Sequence, residues 1–142
     1  MTIEFRTDGL KEEMEKIRRL GAVFDAELLA ELNDFGMEWR DDVRANTHVR
    51  TGQLRRSSNL VPPEKSGSVF SVGISNNTEY AEHYEYGHRQ QPGRYVPALG
   101  KRLKASYVKG QYTFRTARQR ALVRLPKAIR AAVRRAEARM NG

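Results

Sequence analysis

Between Val23 and Asn46 the apolar residues Phe24, Leu28, Leu32, Phe35, Trp39 and Val43 recur three or four positions apart. That spacing predicts one long helix with a continuous apolar face, which cannot exist in water unless other parts of the chain cover it. Gly36 lies inside this helix, where it costs about 1 kcal/mol relative to Ala, so another element is expected to approach the backbone closely there. With 142 residues, at about 100 to 200 per domain, the chain has length for a single domain with a real core. A shorter helix is expected ahead of the long one. Asp8 is placed to cap it, Leu10, Met14, Ile17 and Leu20 form its stripe, and Gly21 ends it. Lys11, Glu12, Glu15, Lys16, Arg18 and Arg19 mark its other face as surface.

From His48 to Pro63 the helical period disappears, and Thr51-Gly52, Ser57-Ser58-Asn59 and Pro62-Pro63 predict an ordered loop or short strand. Glu64-Lys65-Ser66-Gly67 predicts a turn. Phe70, Val72 and Ile74 then alternate with Ser71 and Gly73, the pattern of a strand with one buried face. A lone strand leaves its backbone groups unpaired, and Asn59-Leu60-Val61 and Tyr95-Val96 are the expected partners. Asn76-Asn77 turns the chain, Thr78 is placed to cap a short helix holding Tyr80, Ala81 and Tyr84, and Gly87 closes it.

After the His88–Arg94 loop, a short helical turn is expected at Ala98–Leu103 and a break at Gly110. A long helix follows over Thr113–Met140, with Phe114, Ala117, Ala121, Leu122, Leu125, Ile129, Ala132, Val133 and Ala136 inward. Pro126 should kink this helix or begin a new one. The expected fold is α+β: two N-terminal helices, a small antiparallel sheet, a short helix and a long kinked C-terminal helix. It is read as a single domain over 1–142, with a helical pair (1–47), sheet and loops (48–97) and a basic C-terminal helical segment (98–142).

Charge is segregated along the chain. Residues 1–100 carry 13 Lys and Arg against 16 Asp and Glu, whereas residues 101–142 carry 13 basic residues against Glu137 alone. A basic segment of this kind can neutralise phosphates or dock on an acidic protein face, and sign does not distinguish the two. A solvated helix face is the plainer account.

Cysteine is absent, which removes disulfides, thiol nucleophiles and Cys-type zinc and iron–sulfur sites. Mean hydropathy is −0.73, and no apolar run approaches the roughly 20 residues of a bilayer span, so no membrane partner is expected. Met1–Arg6 lacks the basic and apolar segments of a secretory signal, which predicts synthesis and retention in the cytoplasm until use. Glu79 and His83 are four apart near Glu82 and Glu85, a conceivable metal site, but ordinary helix pairing explains the spacing as well. A nuclease needs convergent acidic ligands beside a basic cleft, and only the basic part is evident. With no phosphate-cradling loop or nucleophile elbow either, no enzyme, cofactor or metal is expected.

All six tyrosines, Tyr80, Tyr84, Tyr86, Tyr95, Tyr107 and Tyr112, lie in one stretch among basic residues. Rings with a polar tip suit protein interfaces, core packing or base stacking, and interface contact is favoured because no RNA-recognition signature accompanies them.

Thr51-Gly52-Gln53-Leu54-Arg55-Arg56-Ser57, the strand ending near Val72-Gly73, and Tyr80-Ala81-Glu82-His83-Tyr84-Glu85-Tyr86-Gly87 occur in that order after two helices. This arrangement resembles the gene-product-ten-like family of tailed phages, neck or tail-completion proteins in which Thr-Gly-x-Leu-Arg-x-Ser precedes Tyr-Ala-x-x-x-Glu-x-Gly and a Pro-containing stretch. Gly93–Lys101 and Val108–Gln111 look like one variant of that stretch, and the resemblance covers about residues 10–125. The motif residues also have structural uses. Gly52 permits a turn, Leu54 reaches toward the core, Arg55 or Arg56 is available to pair with Glu85, and Gly87 ends a helix.

The resemblance implies a structural virion protein in the neck or tail, made in the host cytoplasm. It would form a homo-oligomeric ring among other connector and tail proteins and leave a channel through which genomic DNA passes without sequence-specific binding. Rings need heterologous contacts. The acidic N-terminal helices and the basic C-terminal helix are therefore expected to face different neighbours, with Tyr80, Tyr84, Tyr86, Tyr95, Arg118, Arg124, Arg130 and Arg134 as interface residues and the arginines away from the channel. The alternative is a nucleic-acid-binding protein using the C-terminal helix against phosphates.

Overall fold

The computed structural model describes residues 1–6, 11–18, 21–48 and 52–141, with the side chains of residues 14 and 16–18 left out of account. The chain is α+β. Strand β1 (Thr2–Arg6) precedes helices α1 (Lys11–Arg18) and α2 (Ala22–Asn46), then the one-turn α3 (Gln53–Arg56). Strands β2 (Asn59–Ser66) and β3 (Val69–Ser75) lead to α4 (Ala81–Tyr86). Four short strands follow, β4 (Gly87–Arg89), β5 (Tyr95–Val96), β6 (Lys101–Arg102) and β7 (Tyr107–Lys109), before the long α5 (Thr113–Asn141).

The expected long helix is α2, and Phe24, Leu28, Leu32, Phe35, Trp39 and Val43 are all buried. Two elements cover it. A three-stranded antiparallel sheet in the order β1-β3-β2 contributes Phe5, Phe70, Val72 and Ile74. Helix α5 contributes Phe114, Leu125 and Ile129 with a row of small residues, Ala117, Ala121, Ala128, Ala132 and Ala136. Small side chains let two long helices approach closely, so the bulky residues of α2 fill the shared space. Gly36 meets its expected neighbour: a Cβ there would lie 2.5 Å from Leu60 Cδ1 and 2.8 Å from Val72 Cγ2.

Several expectations are corrected. Strand β3 pairs with β2 as expected, but its other partner is β1, in register Thr2↔Ser75 to Arg6↔Ser71. Tyr95-Val96 pairs with Lys101-Arg102 instead, so the anticipated helical turn over 98–103 is the end of a hairpin. Backbone pairing satisfies those polar groups better than one isolated helical turn would. The loop over 48–63 contains α3, and Pro62-Pro63 lies within β2 at a register shift between Val61 and Glu64, where the missing N–H groups are tolerated. The expected turn shifts to Gly67-Ser68, with φ 61° at Gly67.

Thr78 does not cap α4 with its side chain. Its hydroxyl donates to Asn76 Oδ1 at 2.8 Å, and Tyr80 takes the N-cap position without a side-chain bond. Helix α5 runs through Pro126 as one helix, which removes the alternative of a fresh start at the proline. Leu122, expected inward on α5, is exposed. Asp8, Leu10 and Leu20, and the side chains of Met14 and Ile17, lie outside the described residues. Gly21, expected to end the first helix, has φ 68° and its carbonyl accepts the Phe24 N–H at 3.1 Å, at the start of α2.

Candidate functional site

Helix α4 and the start of α5 are tied by Glu85. Its side chain is fully buried. Oε1 accepts the Phe114 N–H at 2.8 Å and Oε2 the Arg115 N–H at 2.9 Å. The first N–H groups of a helix have no intrahelical acceptor, and a carboxylate there both satisfies them and complements the helix dipole. Of the two arginines, Arg55 and Arg56, read as available to Glu85, Arg55 is turned elsewhere: its Nη2 donates to the Thr47 carbonyl at 2.7 Å. A buried carboxylate is better satisfied by two fixed backbone donors than by a long side chain that must be ordered first.

The other motif residues surround this tie. Gly52 (φ 80°) starts α3, and Gly87 (φ 83°) ends α4. Leu54 is half-buried, outside the main hydrophobic cluster, and its carbonyl accepts from Asn76 Nδ2 at 2.7 Å. Gly87 and Gly110 are pressed together: a Cβ on Gly110 would sit 2.6 Å from Gly87 N, and one on Gly87 2.8 Å from Gly110 N.

From this base the four short strands form one two-stranded ribbon. The β4–β7 ladder, Gly87↔Lys109 to Arg89↔Tyr107, and the β5–β6 ladder, Tyr95↔Arg102 and Val96↔Lys101, are both antiparallel. Between them Gln90 N–H donates to Ser106 O at 2.9 Å, Gly93 N–H to Leu103 O at 2.7 Å, and Leu103 N–H to Arg94 O at 2.8 Å. The ribbon bears Arg89, Arg94, Lys101, Arg102, Lys104 and Lys109, all exposed, and no acidic residue.

The sequence-derived interface residues divide into two groups. Tyr80, Tyr86 and Tyr95 are 66%, 50% and 53% exposed, and Tyr107 joins them at 52%. Arg130 and Arg134 are also exposed, and among the described residues neither has an ion-pair partner. Tyr84 is held inside the chain, its hydroxyl accepting His48 N–H at 2.9 Å and lying 3.3 Å from Thr113 Oγ1. Arg118 stacks over the Phe5 ring at 4.7 Å, and Arg124 Nε stands 3.8 Å from Glu38 Oε2.

Part of the segregated charge meets within the molecule. Arg120 grips Asp42 with two bonds of 2.9 Å, Arg139 reaches Glu27 at 2.8 Å, and Arg135 spans Glu27 and Glu31. The hydrogen bonds of Arg139 and Arg135 hold the Glu27 carboxyl below its ordinary pKa, against a smaller opposing effect of desolvation. For these residues the opposite charges of α2 and α5 face each other within one chain. Their apolar faces must pack together, and that brings their flanking charges into contact.

His83 stacks on His88 at 4.7 Å, with Tyr80 edge-on at 6.3 Å. Among the described residues no group of three or more His, Cys, Asp or Glu side chains is placed to hold a metal. No described helix is long and apolar enough to cross a membrane.

No curated protein and no solved structure matches this chain significantly. A family model does: that of the HK97-gp10-like family, described as "Bacteriophage HK97-gp10, putative tail-component", over residues 8–87. The match runs from the segment before α1 to the glycine that closes α4, so it takes in the core helix α2, strands β2 and β3, and Glu85. Covering more than half of the chain, it identifies the protein as a member of the HK97-gp10-like family of phage tail components.

Proposed function

We propose that this phage tail component works as a neck or tail-completion subunit. It joins capsid to tail as part of a homo-oligomeric ring with a central channel for DNA, and it acts by contact without catalysis. The observation that carries this reading is the family match over α1–α4. It is supported by the outward placement of Tyr80, Tyr86, Tyr95, Arg130 and Arg134 on a core that needs none of them for packing. Tyrosine and arginine are the side chains that most often anchor protein interfaces. In a ring, one patch must meet a different patch of the next subunit.

The test is removal of the protein from an otherwise complete assembly. Heads and tails should then accumulate unjoined, and class averages of normal particles should show a ring at the junction. Joined, infectious particles formed without the chain would refute the proposal.

The second reading is nucleic-acid binding, favoured by the absence of acids between Glu85 and Glu137. Since Arg120, Arg135 and Arg139 are engaged by α2, α5 keeps chiefly Lys127, Arg130 and Arg134 for phosphates. Duplex binding with a defined stoichiometry and a steep salt dependence, near one power per phosphate contact, would support it.

A further inference from the structure

We infer that the basic ribbon of one subunit docks across the outward acidic face of α2 in a second copy of this chain. The inference rests on the ring reading above and specifies the contact that builds the ring.

The ribbon is an incomplete structure on its own. Its two ladders are three and two residue pairs long, and two-stranded ribbons of this size are marginal in water without a surface to lie on. Most of it is exposed, including Tyr95, Leu99, Tyr107 and Val108. Its base is fixed, because Gly87 and Gly110 leave no space between the strands where they meet α4. Between the two ladders the chain turns at Pro92-Gly93, so the β5–β6 tip is carried beyond the β4–β7 ladder that springs from α4. Tyr95 stands opposite Arg102, and Arg89 opposite Tyr107. Directly opposed residues share a face, so each pair offers one ring and one guanidinium together.

The matching surface is on α2. Asp34, Met37, Glu38 and Asp41 lie at i, i+3, i+4 and i+7, which puts them on one helix face, and all four are exposed. Among the described residues, Asp41 bonds only to its sequence neighbour Arg40, at 3.1 and 3.2 Å, and Glu38 has only the 3.8 Å approach of Arg124. Asp34 has no ion-pair partner among the described residues. This stripe has an apolar centre, Met37, between acids. The ribbon tip has apolar Leu99 and Tyr95 between bases. The chemistry that already joins α5 to α2 inside one subunit, arginine on carboxylate beside apolar contact, would be repeated between subunits. The exposed aliphatic residues Leu99 and Val108 favour a protein surface over a phosphate backbone, to which they would contribute nothing.

The absence of cysteine makes a direct test possible in assembled particles. A chain carrying both Leu99→Cys and Met37→Cys, incorporated into particles and mildly oxidised, should run as a ladder of multimers without reductant, while each single variant stays monomeric. Independently, Arg94→Glu with Lys101→Glu should lower incorporation at least tenfold, as should Asp34→Lys with Asp41→Lys, and combining the four changes should restore it. Circular dichroism of each variant separates loss of docking from loss of folding. Normal incorporation with no ladder, and no effect of the reversals, overturns this inference and leaves the ring reading standing. A chain absent from particles overturns both. If the ribbon reversal instead abolishes saturable duplex DNA binding and no ladder forms, the ribbon is a phosphate surface and the inference is wrong.

Discussion

Glu85 Oε1 accepts the backbone N–H of Phe114 at 2.8 Å, so a carboxylate of one short helix caps the longest helix of the molecule. With its second oxygen on Arg115 N–H, it leaves no donor of that pair unsatisfied. Removing a helix cap costs about 1 kcal/mol, and leaving buried donors without an acceptor costs about 1–3 kcal/mol. Glu85→Ala should therefore lower stability by about 2–3 kcal/mol. Glu85→Gln should fall between, since it keeps one acceptor and turns an amide donor toward an N–H. Urea unfolding of the three proteins checks the order, and an unchanged midpoint for Glu85→Ala would show that the cap is dispensable.

The base of the ribbon should tolerate no side chain. A Cβ on Gly110 would meet Tyr86 C at 2.5 Å and Gly87 N at 2.6 Å, backbone atoms that cannot turn aside. Gly110→Ala should cost more than about 2 kcal/mol, in the range of severe overpacking. It should also speed hydrogen exchange at the Gln111 and Tyr112 amides, which donate to Tyr84 O and Glu85 O at 2.8 and 3.1 Å.

At Gly36 two effects oppose each other. Alanine gains about 1 kcal/mol of helix propensity, whereas crowding of Leu60 and Val72 costs about 1–3 kcal/mol. The stiff Val72 is the harder to move, so Gly36→Ala should be destabilising by about 1 kcal/mol net. A stabilised Gly36→Ala protein in chemical denaturation would mean that β2 and β3 yield more easily than their packing suggests.

Glu27 provides a pH dependence with a definite sign. Its pKa in the folded chain lies below the ordinary value of 4.5, because Arg139 and Arg135 donate to the charged form. The stabilisation is present above the unfolded value and is lost as pH falls through the folded one. The melting temperature should decline on acidification below about pH 4.5, and the decline should be smaller in Glu27→Gln and in high salt.

Among the tyrosines, position separates folding from assembly. Tyr84→Phe removes the acceptor for His48 N–H and should cost about 1 kcal/mol. Tyr80→Ala and Tyr86→Ala, at exposed sites, should leave the melting temperature nearly unchanged and reduce incorporation into particles. Equal incorporation of both variants would remove these rings from the interface.

The periodic apolar residues of α2 and the alternation Phe70, Val72, Ile74 were legible because burial imposes its period directly on sequence, and the glycines of the two short motifs because they mark backbone turns. Strand β1 was not, since Ile3 and Phe5 are too few to establish alternation and become a strand only by pairing with β3. Tyr95-Val96 is legible as strand, but its partner Lys101-Arg102 lies where the sequence suggests a helical turn, for a similar reason: short ladders are set by which segment lies opposite, a non-local fact. Of the candidate surface, composition located the tyrosines and arginines but could not sort them. Tertiary packing turned Tyr84 inward, laid Arg118 on Phe5 and brought Arg120, Arg135 and Arg139 to the acids of α2. Local periodicity thus determined the main elements of this protein, while the partners of its charges and the projection of its ribbon were decided by packing, because Coulomb and hydrogen-bond pairing depend on distance in space and sequence order does not encode it.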